Sequence, residues 1–150
     1  MQKIKILNSK EIKKILKELE YFGFKDKLNY AFLKNNDDKI FLLSKKFGEI
    51  DTARLRINNL GLYFGKQEKS GIRLTIEGTQ LIKPSKNVIE LDDKQIRQWI
   101  LGKDLEIKSE AKGFLVIKNK NDFFGCGAYK DGKLLNYIPK NRRLTSKNID

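Results

Sequence analysis

The chain has 150 residues, 39% hydrophobic, 10% aromatic and 34% charged, enough apolar material for one ordinary domain or two very small ones, which excludes wholesale disorder. Thirty-two Lys and Arg against nineteen Asp and Glu leave a formal net charge of +13. Such a surface attracts polyanions, of which nucleic acid is the commonest in a cytoplasm. The absence of histidine and the single cysteine exclude His-based acid–base catalysis, Ser-His-Asp and Cys-His nucleophiles, most zinc sites and any internal disulfide.

A lysine- and isoleucine-rich surface also arises where a whole proteome is biased that way, as in many thermophiles, so charge alone does not decide for nucleic acid. No apolar run reaches the roughly 18 residues that span a bilayer, and the first seven residues lack the apolar centre of a signal peptide. A cytoplasmic protein without membrane contact is the expectation.

Taken in order, residues 1–6 alternate Lys with Ile as a short lead-in strand. Asn8 stands three residues before Glu11, the spacing of a capping box. Ile12, Ile15, Leu16 and Leu19 then follow at helical spacing, with Lys13, Lys14, Lys17 and Glu18 on the other faces and Gly23 as the stop. From Leu28 the period becomes that of strands: residues 30–33 and 40–43 flank a polar turn at 34–39. A short helical piece is predicted over 46–54. A strand over 60–66 follows, with Gly61 and Gly65 marking bulges or close backbone approach. After a turn at 67–71, residues 72–76 alternate Ile72, Leu74 and Ile76 with Arg73 and Thr75, so one face is buried and one is wet. Glu77-Gly78 begins another short helix or turn before Leu81 and Ile82.

Lys83-Pro-Ser-Lys-Asn87 carries one of the two prolines and is the best boundary. It divides the chain into a unit over 1–83 and a second over 88–150, joined by 84–87. A short apolar run at 88–91 precedes a helix capped by Asp92 and Gln95, whose stripe is Ile96, Trp99 and Ile100 and whose stop is Gly102. Trp99 reads as a core anchor. A strand at 113–118 and a turn at 119–121 lead into an aromatic, glycine-punctuated strand from Asp122. Asp131-Gly132 turns it, and the chain returns through Leu134, Leu135, Tyr137 and Ile138 to Pro139 and the basic knot of Lys140, Arg142 and Arg143. Asp-Gly between two apolar runs is a strong hairpin signal, because a primed two-residue turn needs positive φ. Residues 144–150 read as a frayed polar tail. The fold class is α+β: an N-terminal helix with an antiparallel sheet, then a small β-barrel carrying one helix.

Two stretches resemble known families. Leu60-Gly-Leu-Tyr-Phe-Gly-Lys-Gln-Glu-Lys-Ser-Gly-Ile-Arg-Leu-Thr-Ile76 resembles the pre-PUA domain of the Nip family of ribosome-assembly factors, where a similar series precedes a C-terminal PUA domain. Gly125-Cys-Gly127, Lys130, Gly132-Lys-Leu-Leu-Asn136 and Tyr137-Ile-Pro-Lys140 resemble the PUA-like domain appended to Sun/Fmu-type RNA cytosine methyltransferases, whose small stand-alone relatives have about this length. The resemblance implies a PUA-fold RNA binder of ribosome biogenesis or RNA modification, with rRNA or tRNA as partner and no cofactor. It does not imply catalysis. Cys126 lies between two glycines on a strand, without a neighbouring base or a cofactor loop, and reads as a small buried residue.

The residues expected to meet RNA are Lys130, Lys133, Lys140, Arg142 and Arg143 on phosphate, Tyr137 under a base and Asn136 on a base edge. For Tyr137 a core position, and for Asn136 a structural hydrogen bond, are equally open. Lys66 and Arg73 are further candidates. They belong to a second basic strip with Arg54, Arg56 and Lys69 that either faces the same way or is solvated surface, the latter slightly favoured. The alternatives to a non-catalytic RNA binder are an accessory subunit or remnant of an RNA methyltransferase, and an adaptor docking on an acidic protein. Methyltransferases or ribosome-assembly proteins are the partners these readings imply.

Overall fold

The structure is a computed structural model that describes residues 3–44, 61–140 and 143. The helical piece expected over 46–54, the tail at 144–150, Arg54, Arg56 and Arg142 lie outside the described residues. The first helix, α1 (Ser9–Leu19), begins at the expected capping box: Asn8 Oδ1 accepts from the Glu11 amide at 2.9 Å and Glu11 Oε1 accepts from the Asn8 amide at 3.2 Å. It tightens into a 3-10 turn at Glu20–Phe22 and stops at Gly23, whose φ of 82° a side chain would resist. Ile15 and Leu19 from its stripe are fully buried.

That stripe packs on a five-stranded sheet, antiparallel throughout, of β1 (Lys5–Ile6), β2 (Tyr30–Lys34), β3 (Lys39–Ser44), β4 (Leu62–Glu68) and β5 (Gly71–Leu74) in sequential order. Asn35 closes the β2–β3 turn by accepting from the amides of Asp37 and Lys39. A register shift lies opposite Gly65 and Tyr63, the bulge that the glycine signalled. β5 ends two residues earlier than the alternation predicts. Thr75 instead caps a helix, α2 (Ile76–Ile82), its hydroxyl accepting from the Gly78 amide at 2.9 Å and donating to the Tyr63 carbonyl at 2.6 Å.

The second sheet has the order β6-β8-β9-β10-β7, from β6 (Val88–Glu90), β7 (Leu105–Glu106), β8 (Gly113–Asn119), β9 (Asp122–Lys130) and β10 (Lys133–Asn136). β6 runs parallel to β8 and the remaining pairs are antiparallel. A register irregularity between Val116 and Lys118 and a φ of 85° at Gly125 bend its two longest strands, giving a curled half-barrel. Asp131 and Gly132, with φ of 51° and 80°, make the two-residue primed turn of the last hairpin. α3 (Asp93–Ile100) carries the Asp92–Gln95 capping box and covers one face with Trp99, which is fully buried and donates its indole N–H to the Phe124 carbonyl.

One core belongs to both sheets. Ile15, Leu19, Phe32, Ile40, Phe64 and Ile72 pack in the same cluster as Phe114, Val116, Phe123 and Cys126, while Leu91, Ile96, Trp99, Leu115, Ile117 and Leu134 form a second core under α3. α2 is the wedge between the sheets. A Cβ on Gly78 would run into the Phe64 carbonyl of β4, and the buried Thr79 hydroxyl accepts from the Gly125 amide of β9 at 3.1 Å. Segment 84–87 is tied to the 3-10 turn: the amides of Ser85 and Lys86 donate to the Phe22 carbonyl, and Asn87 Nδ2 donates to the Tyr21 carbonyl. The two sheets therefore meet along a seam closed by packing and by hydrogen bonds.

Candidate nucleic-acid interface

Register sets which side chains face that seam. Phe114, Ala128 and Leu135 stand opposite one another across β8, β9 and β10, and Lys130 stands opposite Lys133 beside the turn. Residues two apart on a strand share a face, so Phe114, Lys130, Lys133, Leu135 and, one step past the strand, Tyr137 belong to the face turned to the first sheet. Leu134 and Asn136 belong to the face under Trp99. In the first sheet Lys39 stands opposite Lys66, and Lys66 opposite Arg73, placing three cations in a row across β3, β4 and β5.

Like charges directly opposite one another in a sheet repel, and local partners soften this row. Lys39 Nζ lies 5.5 Å from the centre of the Tyr63 ring, which also packs on Phe41 at 5.3 Å. Burial pushes the Tyr63 hydroxyl above its ordinary pKa, with nearby Arg73 opposing the shift. Arg73 Nη2 reaches Glu68 Oε1 at 3.3 Å. Its guanidinium carbon sits 4.3 Å over the ring of Tyr137, which in turn meets Phe114 edge-on at 6.5 Å. Through Arg73 and Tyr137 the cation row of the first sheet touches the last hairpin of the second. Tyr137 keeps 39% of its surface exposed. Beside it is a cleft of about 90 Å³ lined by Tyr63, Arg73, Phe124, Tyr137, Ile138 and Pro139, and Arg73 Nε is buried without a hydrogen-bond partner among the described residues.

Of the residues singled out in the sequence, Lys66, Arg73 and Tyr137 are brought together. Lys130, Lys133 and Lys140 are exposed. Lys133 is four residues from Tyr137, roughly 13 Å at about 3.3 Å per strand residue. Asn136 is occupied within the protein: Nδ2 donates to the carbonyls of Trp99 and Lys103 at 2.7 and 3.1 Å, Oδ1 accepts from the Ile138 amide at 2.8 Å, and its own amide donates to Asp104 Oδ1 at 2.7 Å. Of its two readings, the structural one fits these bonds. Arg143 Nε donates to the Ile138 carbonyl at 2.9 Å, and its side chain packs against Gly102, where a Cβ would collide with it, so these contacts are structural. Lys39, Tyr63 and Phe114 were not singled out. Lys39 reads as part of a polar turn, and the two aromatics read as ordinary strand residues until cross-strand register puts them beside cations.

Chemistry at the cysteine is closed off. Cys126 is buried, and burial pushes its thiol up to about 12, the reverse of what a nucleophile needs. Among the described residues no cluster of His, Cys, Asp and Glu is arranged to hold a metal ion, and no helix is long and apolar enough to cross a membrane.

Residues 86–144 match the family described as the Methyltransferase RsmF PUA domain. The second sheet with its helix is thus a PUA-like domain, related to that of the Sun/Fmu-type RNA cytosine methyltransferases, as the hairpin residues lead one to expect. The chain is similar to the ribosomal RNA small subunit methyltransferase F of Aeromonas salmonicida (strain A449), 28% identical over 138 residues, 89% of this chain and 28% of that protein. It is also similar to the proteins of that name from Vibrio vulnificus (strain YJ016), 26% identical over 73% of this chain and 23% of the relative, and from Shewanella oneidensis, 24% identical over 69% and 22%. The chain therefore spans less than a third of the length of these curated relatives.

Proposed function

We propose that this protein is a non-catalytic RNA-binding protein of rRNA modification or ribosome biogenesis, and that its two halves, 1–83 and 88–150, act as one platform. The observation that carries the proposal is the contact of Arg73 with Tyr137, which joins the row of Lys39, Lys66 and Arg73 to the basic hairpin of Lys130, Lys133 and Lys140. A row of opposed cations gains most from an anion laid along it, and an exposed ring already backed by a guanidinium is a platform for an unpaired base. Similarity to proteins named as rRNA methyltransferases supports rRNA as the polyanion, and a buried thiol pushed up to about 12 argues against Cys126 as a nucleophile.

The test is RNA affinity across a salt series, using a structured fragment of small-subunit rRNA. Lys66→Ala with Arg73→Ala is expected to weaken binding and flatten the plot of log K against log salt by about 0.7–0.9 per phosphate contact removed. A folded double variant with unchanged affinity and slope overturns the assignment. A second reading, action beside a methyltransferase, draws on the relatives' being named as methyltransferases. Co-purification that survives ribonuclease is the result it requires.

A further inference from the structure

The cation row of the first sheet carries its own acid. Glu68 lies two residues along β4 from Lys66, on the same face, and Lys66 stands opposite Arg73. Glu68 is thus the diagonal neighbour of Arg73 and reaches it: Oε1 is 3.3 Å from Arg73 Nη2, with the two side chains 31% and 19% exposed. Burial pushes the Tyr63 hydroxyl up, Arg73 lowers it and Glu68 raises it, so both charges lie near that ring. The pair is a loose one. A charge-assisted bond of this kind is usually about 2.7–2.9 Å long, and a well-seated carboxylate takes two N–H groups of a guanidinium in parallel. Here one long contact is made. Arg73 Nε is buried, so the guanidinium meets a ligand through its outer nitrogens, and Glu68 stands on one of them. Among the described residues no ion pair involves Lys66.

We infer that Lys66 and Arg73 form a seat for one RNA phosphate, and that the Glu68 carboxylate fills this seat in the free protein and is displaced when RNA binds. The inference rests on the RNA-binding reading above and says what that surface gives up in binding. A phosphodiester has two free oxygens and can meet both cations, whereas Glu68 meets one. Arg73 is held over the Tyr137 ring, so it stays in place while the part-exposed carboxylate turns to water. Glu68 therefore acts as a built-in competitor that lowers RNA affinity. A bracing role, in which Glu68 positions Arg73 over Tyr137, makes the opposite prediction.

The experiment measures the affinity of the whole chain for the structured rRNA fragment at one low salt concentration, in the wild type, Glu68→Gln, Arg73→Gln and the double variant, with Tm as the check on folding. Glu68→Gln keeps the length of the side chain and removes its charge. It is expected to raise affinity about three- to fivefold, the worth of releasing one part-exposed ion pair. In the Arg73→Gln background the same change is expected to add less than about twofold, because the competitor has nothing left to hold. An equal gain in both backgrounds identifies the plain removal of a negative charge, and a loss in Glu68→Gln identifies a brace; either result overturns this inference and leaves the RNA-binding reading standing. Should Arg73→Gln fail to fold, the single variant decides, since unchanged or lower affinity in Glu68→Gln overturns the inference by itself. Failure of the wild type to bind the fragment overturns both.

Discussion

Asn136 and Tyr137 are neighbours with opposite fates, because side chains of a strand alternate between faces. Leu135 and Tyr137 turn to the seam, whereas Leu134 and Asn136 turn under Trp99, where the amide binds the Trp99 and Lys103 carbonyls. Asn136→Ala is therefore expected to cost about 1–3 kcal/mol of stability through unpaired carbonyls, read as a lowered Tm, with RNA affinity retained while the protein stays folded. The sequence showed a polar residue next to an aromatic one in a basic hairpin. Assigning their roles needed the partner helix, which nothing local specifies. Cys126 was more legible, since a cysteine between two glycines has no activating neighbour. A Cβ at Gly127 would lie 2.7 Å from Trp99 Cη2, so glycine there admits the indole. Cys126 should resist a thiol reagent at pH 8 and react once denaturant is added; rapid labelling of the native protein contradicts the burial described. Gly78→Ala tests the wedge: a methyl group against the Phe64 carbonyl should cost about 3 kcal/mol, the upper part of the overpacking range.

The elements that declare themselves locally are those with a chemical start or stop. Asn8 with Glu11, Asp92 with Gln95, Gly23 and Asp131-Gly132 all act as their residue types dictate. Less legible are elements created by distant partners. β7 is two residues long and exists through its pairing with Lys133 and Leu134; β6 lies parallel to β8, a choice made across a whole helix. Thr75 extends the alternation of a strand yet serves as a cap, because its hydroxyl also reaches β4. Asn8→Ala should lower stability by about 1 kcal/mol. The first turns of α1 and α3 also carry a pH signature. A hydrogen bond from Lys5, then one from the Asn8 amide, holds the Glu11 carboxyl below its ordinary pKa; the Asn119 amide, then Lys120, does the same for Asp93. Lowered folded values mean that this stability is present above the ordinary carboxylate pKa values of 4.5 and 3.8 and is lost as pH falls through the folded ones. Tm should therefore fall on acidification below about pH 4.5, and less steeply when Glu11 and Asp93 are replaced by Gln and Asn; an identical acid slope in that variant contradicts the assignment.

For the whole molecule, composition announced a basic protein, the order of elements an α+β fold and the hairpin's resemblance a PUA-like sheet, but none indicated that the two basic strips meet. That depends on α2, which sets β5 against β9 through Gly78, Thr79 and Gly125 and so brings Arg73 over Tyr137. Solvated surface, which the sequence slightly favoured for Arg73, does not describe a side chain 19% exposed between Glu68 and an aromatic ring. The central claim is that RNA engages both sheets at once across this seam. The most direct measurement is a double-mutant cycle on affinity for the rRNA fragment, with Lys66→Ala on the first sheet, Tyr137→Ala on the second, and both together. The account predicts that each single variant weakens binding and that the double variant binds more weakly than either, with some coupling through Arg73, which both residues neighbour. A loss confined to one of the two single variants would place the RNA on one sheet and contradict the account.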